Sequence, residues 1–202
     1  MDEIAPGIFH WTAFLGSIGM RVSSYFVEPA GVVIDPMTPE DGGLDWFDGR
    51  SVSPQQALLT TRHHYRDCDA FRERFGLTVR ASAPGMHEFE GTDRIVEPFE
   101  FGDEVAPGVI AIGTNSISPD DTTLHIAHGG GALSFGDGLV RMAGDALGFV
   151  PDSLIGDDPE PLKRGLVDAY RGLLSRDFEH LLFAHGEPLV GGGHSALADF
   201  VA

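Results

Sequence analysis

The sequence predicts a mixed α/β fold in which two β-sheets pack face to face and helices cover their outer faces. Two observations favour this fold: strand-like segments outnumber helical ones, and the helical ones fall between groups of strands. The chain has 202 residues, 42% of them hydrophobic, and its 14 Phe can fill a large core. We therefore expect a single domain that covers residues 1–202.

Short apolar and β-branched runs predict the strands. They lie at 8–11, 21–27, 31–34, 57–61, 78–83, 109–112, 122–127, 131–135, 139–143 and 180–184. Residues 28–31 predict a turn between the second and third of these strands. Gly136-Asp137-Gly138 is typical of a tight hairpin and predicts one between the strands at 131–135 and 139–143.

Four helices are predicted between and after these strands. They lie at 39–50, directly after the strand at 57–61 with an N-cap at Asp67 or Asp69, from Asp157 onwards, and at 196–201. The helix that begins near Asp157 has Pro159 in its first turn, a position that proline favours. Its apolar residues repeat at helical spacing: Leu162, Leu166, Tyr170, Leu173 and Leu174.

The formal charge of −18, from 13 basic and 31 acidic residues, repels phosphate backbones and anionic lipid. We therefore expect neither a nucleic acid nor a membrane as partner, and no apolar run approaches the length of a membrane span. The acidic start of the chain lacks the pattern of a signal peptide. The single cysteine, Cys68, excludes an intrachain disulfide, so we expect a reducing cytoplasm.

A dense group of polar side chains follows the predicted strand at 57–61. From Thr61 to Cys68 the chain reads Thr-Arg-His-His-Tyr-Arg-Asp-Cys. Binding and catalytic residues gather where a rigid strand gives way to a loop. The sequence therefore predicts a functional site here, with Cys68 as a buried residue at a helix start rather than a thiolate paired with a histidine.

This run resembles the metal-binding motif T-H-x-H-x-D-H of the metallo-β-lactamase superfamily. The resemblance implies a four-layer αββα sandwich with two metal ions at the strand ends. If Thr61 is the motif Thr, the four ligand positions hold Arg62, His64, Arg66 and Asp67. A shift of one residue would give His63, Tyr65, Asp67 and Cys68. We favour the first register because Thr61 then directly precedes the first ligand position, and the second register stays open.

Other segments continue the resemblance in chain order. Asp35-Pro36 ends a strand where the superfamily often has Asp-Pro. Gly144-Asp145 looks like the Gly-Asp element whose Asp bridges the two metals, and His185 ends a buried strand where the last ligand His is found. The remaining ligand position aligns with Ile117, which cannot bind a metal.

The resemblance therefore implies a metal site that is eroded. Arginine never deprotonates and cannot ligate a cation, so we interpret Arg62 and Arg66 as charge substitutes that pair with Asp145 and Asp67. At most one divalent ion is expected, zinc being the most suitable. Its candidate ligands are Asp67, Asp145, His185 and His64.

Three functions fit these residues. The first is a hydrolase-like protein with an eroded dinuclear site that binds a small polar or anionic ligand through Arg62, His63 and Arg66. The second is an active hydrolase with one metal and an ester, thioester or lactone substrate. The third is a metal-free acid–base enzyme that uses His64 and Asp145. The sequence leaves the substrate and the oligomeric state open.

Overall fold

A computed structural model describes residues 1–142 and 146–202 of the chain. Its strands are β1 Asp2–Ala5, β2 Ile8–Leu15, β3 Met20–Val27, β4 Val32–Ile34, β5 Gln56–Leu58, β6 Thr78–Ser82, β7 Glu97–Phe99, β8 Glu104–Ala106, β9 Val109–Gly113, β10 Thr122–Ile126, β11 Ala132–Phe135 and β12 His180–Phe183. Its α-helices are α1 Cys68–Phe75, α2 Asp152–Ile155, α3 Pro159–Leu173 and α4 Gly193–Phe200. Short 3-10 helices occupy Glu28–Ala30, Gly43–Gly49, Arg62–Tyr65 and Ala83–Glu88.

The strands form two sheets. The first has the order β1-β2-β3-β4-β5-β6-β7, antiparallel as far as β4 and parallel from β4 to β7. The second has the order β12-β11-β10-β9-β8 and is antiparallel except for the parallel pair β11 and β12. Two mixed sheets confirm the predicted fold class and exclude a single parallel sheet.

Alternating residues along the strands separate the core into layers, because successive side chains of a strand point to opposite faces. Ile8 and Leu182 lie in a cluster that contains residues of both sheets. Phe9, next to Ile8, packs instead with Phe71 of α1, and Leu181, next to Leu182, packs with Leu166 of α3. Helices therefore cover the outer face of each sheet, as the four-layer αββα sandwich requires.

The predicted hairpin between the strands at 131–135 and 139–143 is wrong. Residues 139–143 were expected to pair with β11 through a hairpin at Gly136-Asp137-Gly138, yet β11 pairs with β10 and with β12. The glycines are needed for close approach rather than for a two-residue turn. A Cβ at Gly136 would lie 2.8 Å from Asp121 Oδ1, and one at Gly138 would overlap the hydroxyl of Tyr170.

The two sheets are joined by hydrogen bonds near one end. The Tyr25 hydroxyl of β3 donates to the carbonyl of Phe183 (2.9 Å) and accepts from its N–H (3.0 Å). The N–H of Thr122 in β10 donates to the carbonyl of Thr60, just after β5. These bonds bring the ends of β5, β11 and β12 together. No helix within residues 1–142 and 146–202 is long and apolar enough to cross a membrane.

Candidate metal centre

Three side chains from three strand ends meet between the sheets. His64 lies in the 3-10 helix Arg62–Tyr65 that follows β5, and this helix is capped by the side chain of Thr61, which accepts from the N–H of His63. Asp137 follows β11, and His185 follows β12. The shared sheet edge therefore gathers residues that are far apart in the chain.

The carboxylate of Asp137 is the common partner of both imidazoles. Its Oδ1 lies 3.3 Å from His64 Nε2 and 3.1 Å from His185 Nε2. All three potential ligand atoms lie within 4.8 Å of one another, and the described residues contain no other such group of three. The side chain of Asp137 is 29% exposed and that of His64 7% exposed, so solvent reaches the centre at Asp137.

Asp35 fixes His64 from behind. Its Oδ2 lies 2.9 Å from His64 Nδ1, and it also accepts hydrogen bonds from the N–H (2.8 Å) and the hydroxyl (2.5 Å) of Thr60. An acceptor at Nδ1 selects the tautomer in which that nitrogen carries the proton. Nε2 is therefore the atom of His64 that faces the centre with a lone pair whenever the ring is neutral.

The charges of the centre depend on one another. Burial opposes protonation of His64, but the carboxylates of Asp35 and Asp137 outweigh it and raise the pKa of His64 to about 9. Burial would raise the pKa of Asp137, yet the charges and hydrogen bonds of His64 and His185 hold it well below its usual range. Without an ion, the negative charges of the carboxylates are offset by protonated imidazole within the centre.

Asp121 supports the turn that carries Asp137. It is 1% exposed, and its Oδ1 accepts from the N–H of Asp137 (3.2 Å) while its Oδ2 accepts from the hydroxyl of Thr114 (2.5 Å). Burial raises the pKa of Asp121 to about 7, although the hydrogen bond from Thr114 acts against this. A hydrogen bond to the buried carboxyl group of Asp121 therefore fixes the main chain at Asp137.

Arg62 lies beside the centre and pairs with Asp120. Its main-chain N–H donates to Asp120 Oδ2 (2.7 Å), and its guanidinium forms a salt bridge with Asp120 Oδ1. Ser118 donates to the same carboxylate. The sequence predicted Asp145, which lies outside the described residues, as the partner of Arg62. Among the described residues, Arg62 forms this salt bridge with a carboxylate from the loop before β10.

Arg66 lies deeper and does not pair with Asp67. Its Nη1 donates to the carbonyls of Ser23 (2.7 Å) and Asp35 (2.8 Å). The carboxylate of Asp67 instead accepts from the N–H of Thr38 (2.7 Å) and lies outside the metal-ligand group. The predicted pair was wrong because adjacent side chains at the start of α1 point in different directions.

The remaining predicted site residues are placed as follows. His63 is exposed, unlike its neighbour His64, and is absent from the ligand group. Cys68 is buried, and burial raises the pKa of its thiol well above the usual value, as expected for a structural cysteine. Ile117 packs against core residues. Asp145 lies outside the described residues.

Asp137 is the site residue that sequence reasoning missed. Gly136-Asp137 directly follows the buried strand β11, just as His185 lies close after β12, and this strand-end position was the available signal. The hairpin interpretation of Gly136-Asp137-Gly138 concealed it, since Gly and Asp are also common in turns.

Comparison with solved structures identifies the fold. The DIM-1 metallo-β-lactamase exposed to ceftazidime has a TM-score of 0.72 at 11% identity, over 99% of this chain and 94% of its own. TTHA1429, a metallo-β-lactamase family protein from Thermus thermophilus, has a TM-score of 0.67 at 15% identity, over 98% of this chain and 79% of its own. TTHA1623, in a di-iron-bound form, has a TM-score of 0.66 at 24% identity, over 89% of this chain and 94% of its own.

The chain therefore has the metallo-β-lactamase fold, which confirms the superfamily resemblance at the level of the fold. No protein-family sequence model matches the chain, and no curated protein matches it in sequence.

Proposed function

We propose that the protein binds one divalent metal ion on His64, Asp137 and His185 and uses it to hydrolyse an ester, a thioester or a lactone. The observation that carries this proposal is the convergence of three ligand atoms within 4.8 Å at a partly open position. It revises the sequence prediction, because the proposed carboxylate ligand is Asp137, which the sequence did not predict, and because Asp67 lies outside the ligand group.

The donor set suits a catalytic ion. Two imidazoles and one carboxylate, with the fourth position open, are typical of hydrolytic zinc sites. Two ligands that are each about 2.1 Å from a tetrahedral zinc lie roughly 3.4 Å apart, and the separations from Asp137 Oδ1 are 3.3 and 3.1 Å. Two histidines and one carboxylate also suit iron(II), and TTHA1623 is known in a di-iron-bound form.

Each residue has a separate part in this function. Asp35 orients His64 and holds the proton on Nδ1, so that Nε2 is the donor. Asp121 holds the main chain of Asp137. An ion on His64 would compete with a proton for Nε2, so we expect metal affinity to rise with pH. A bound ion would polarise a carbonyl group and activate water for attack.

The proposed centre is not a conventional pair of zinc ions. In the favoured register, Arg62, Arg66 and Asp67 stand at ligand positions of the superfamily motif, and neither arginine can ligate. Arg62 is engaged with Asp120 and Asp67 with the main chain of Thr38. With a net charge of −18, a small molecule suits the protein better than a nucleic acid or a lipid surface.

A second function has an observation in its favour. Asp35, His64, Asp137 and His185 form a continuous hydrogen-bonded chain without any ion. A protein that binds a small polar or anionic ligand and holds no metal would have the same chain.

Metal analysis separates the two functions. We expect one zinc or iron per chain after reconstitution and dialysis, and hydrolysis of an aryl ester, a thioester or a lactone that a chelator abolishes. Asp137→Ala and His185→Ala should each lose the ion, whereas His63→Ala, which removes the exposed neighbour of His64, should keep it. A folded wild-type chain that retains neither metal would contradict the proposal and favour the metal-free ligand-binding function.

A further inference from the structure

The guanidinium of Arg66 is buried beside the proposed metal centre with most of its donors unused. Nη1 donates to the carbonyls of Ser23 and Asp35, while Nε and Nη2 are buried and meet no hydrogen-bond acceptor among the described residues. Buried polar groups are normally paired, and each exception needs a physical reason. Hydrogen bonding therefore does not account for this side chain.

The main chain at Arg66 is also held in a rare conformation. Its φ is 43°, and that of Asp35, whose carbonyl Arg66 contacts, is 46°. Non-glycine residues seldom adopt positive φ, and such residues persist where the surrounding structure fixes them, often at functional sites. Both strained residues border the centre, and the conformation at residue 66 carries a guanidinium inward.

Electrostatics gives the missing reason. Burial lowers the pKa of Arg66, and the negative charges of Asp35 and Asp137, the two carboxylates that also contact His64, act against this and favour the charged guanidinium. A guanidinium keeps its charge at every accessible pH and offers no lone pair to a metal. The centre thus contains a permanent cation that is not itself a ligand.

One divalent ion can be balanced at this centre, but a second cannot. A first ion would be held by His64 and Asp137, and the carboxylate of Asp137 would offset part of its charge. A second ion would add to the positive charge that Arg66 already fixes, and Asp35 and Asp137 could no longer balance it. Low solvent exposure strengthens this repulsion, because water screens it less.

We infer that Arg66 is the residue that restricts the His64–Asp137–His185 centre to a single divalent ion. This inference rests on the proposed metal-binding function and deepens it. The three ligands define where an ion binds, and Arg66 limits how many ions bind.

Zinc counting on charge variants tests the inference. Wild type, Arg66→Lys, Arg66→Asp and Arg62→Gln are equilibrated with excess zinc, desalted and analysed for metal, with circular dichroism to confirm folding. Wild type, Arg66→Lys and Arg62→Gln should each retain one ion, and Arg66→Asp should retain two. Aspartate tolerates positive φ better than most residues, so the main chain does not disfavour this variant. Two ions in the wild type, or one ion in folded Arg66→Asp, would overturn the inference.

A second variant covers the case in which Arg66→Asp does not fold. Arg66→Met removes the charge and adds no ligand, so the single zinc should bind about tenfold more tightly than in the wild type, measured by competition with a chromophoric chelator. An unchanged zinc affinity would overturn the inference. A wild type that binds no zinc contradicts the proposed function. In that case, zinc bound by Arg66→Asp or Arg66→Met would still show that Arg66 repels the ion. No zinc in either folded variant would overturn the inference as well.

Discussion

At the scale of single residues, the centre depends on carboxylates that do not face the proposed ion. Asp35 contacts His64 on the side away from Asp137 and is itself held by Thr60. Such outer partners fix the ring of a ligand histidine and increase its basicity. Asp35 therefore controls the orientation and the basicity of His64 as a metal ligand.

Asp35→Asn should weaken zinc binding by about 10–100-fold, since an amide orients the imidazole but supplies no charge. Asparagine tolerates the positive φ at this position. A chelator competition assay at fixed pH measures the change. Thr60→Val is the matched control, because it removes the hydroxyl that contacts both Asp35 and His64 Nδ1 (3.0 Å) and leaves the carboxylate next to His64. Equal zinc affinities for wild type and Asp35→Asn would remove Asp35 from the site.

The local sequence around Asp137 does not distinguish it from Asp145 as a candidate ligand. Both follow a glycine after an apolar run, so their local sequences are alike. Asp137 is brought to His64 and His185 because β11 pairs with β12 and both strands end at the centre, and Asp145 lies outside the described residues. That pairing is parallel and joins segments far apart in the chain, which a local pattern cannot show.

At the scale of elements, the turn after β11 is shaped by what lies beneath it. A Cβ at Gly138 would overlap the Tyr170 hydroxyl of α3 and would lie 2.9 Å from Leu166 Cδ2. Glycine is thus required here for close packing of the turn on the helix. The same packing keeps the main chain of Asp137 against Asp121.

Gly138→Ala should destabilise the protein by about 1–3 kcal/mol through overpacking. Combination with Tyr170→Phe should recover part of the loss, because the overlapping oxygen is then absent. Urea denaturation measures both. Gly172→Ala in α3, where a Cβ would meet nothing within 4 Å, is the control and should be neutral or stabilising. A Gly138→Ala variant as stable as the wild type would show that the turn is free to move away from α3.

Helix predictions differed in quality for a physical reason. The helix from Asp157 onwards was confirmed as α3 because its apolar side chains repeat over several turns. The helix predicted at 39–50 is instead the 3-10 helix Gly43–Gly49, in which Phe47 is the single buried residue. Leu44 and Trp46 pack against the core only in part, so the segment, with glycines at both ends, lacks the buried apolar stripe that stabilises an α-helix.

At the scale of the whole molecule, contacts between the two sheets hold the centre together. The Tyr25 hydroxyl makes two hydrogen bonds to the main chain of Phe183, two residues before His185. The N–H of Ser23 also donates to the carbonyl of Ala184 (3.0 Å). The distance between His64 and His185 therefore depends on how the sheets are joined.

Tyr25→Phe should cost about 1–3 kcal/mol of stability, because it leaves buried main-chain groups of Phe183 without a partner. Thermal or urea unfolding gives the value. Tyr65→Phe is the matched control: its hydroxyl bonds to Asp69, half of whose side chain is exposed, so its loss should cost less. If the two variants lose the same stability, the bond between the sheets contributes no more than a surface contact.

The sequence alone determined the fold class, most of the strands and the helix α3, since apolar periodicity and strand-end polar residues are local properties of the chain. It also determined that His64 and His185 are candidate ligands and that arginines occupy ligand positions of the resembling motif. Only the tertiary structure decided which carboxylate joins the histidines, and it placed Asp137 there. It likewise decided that Arg62 meets Asp120 and that Arg66 meets Asp35. The packing of strands that are far apart in the chain decides which buried charged groups meet. A local stretch of sequence therefore cannot predict these partners.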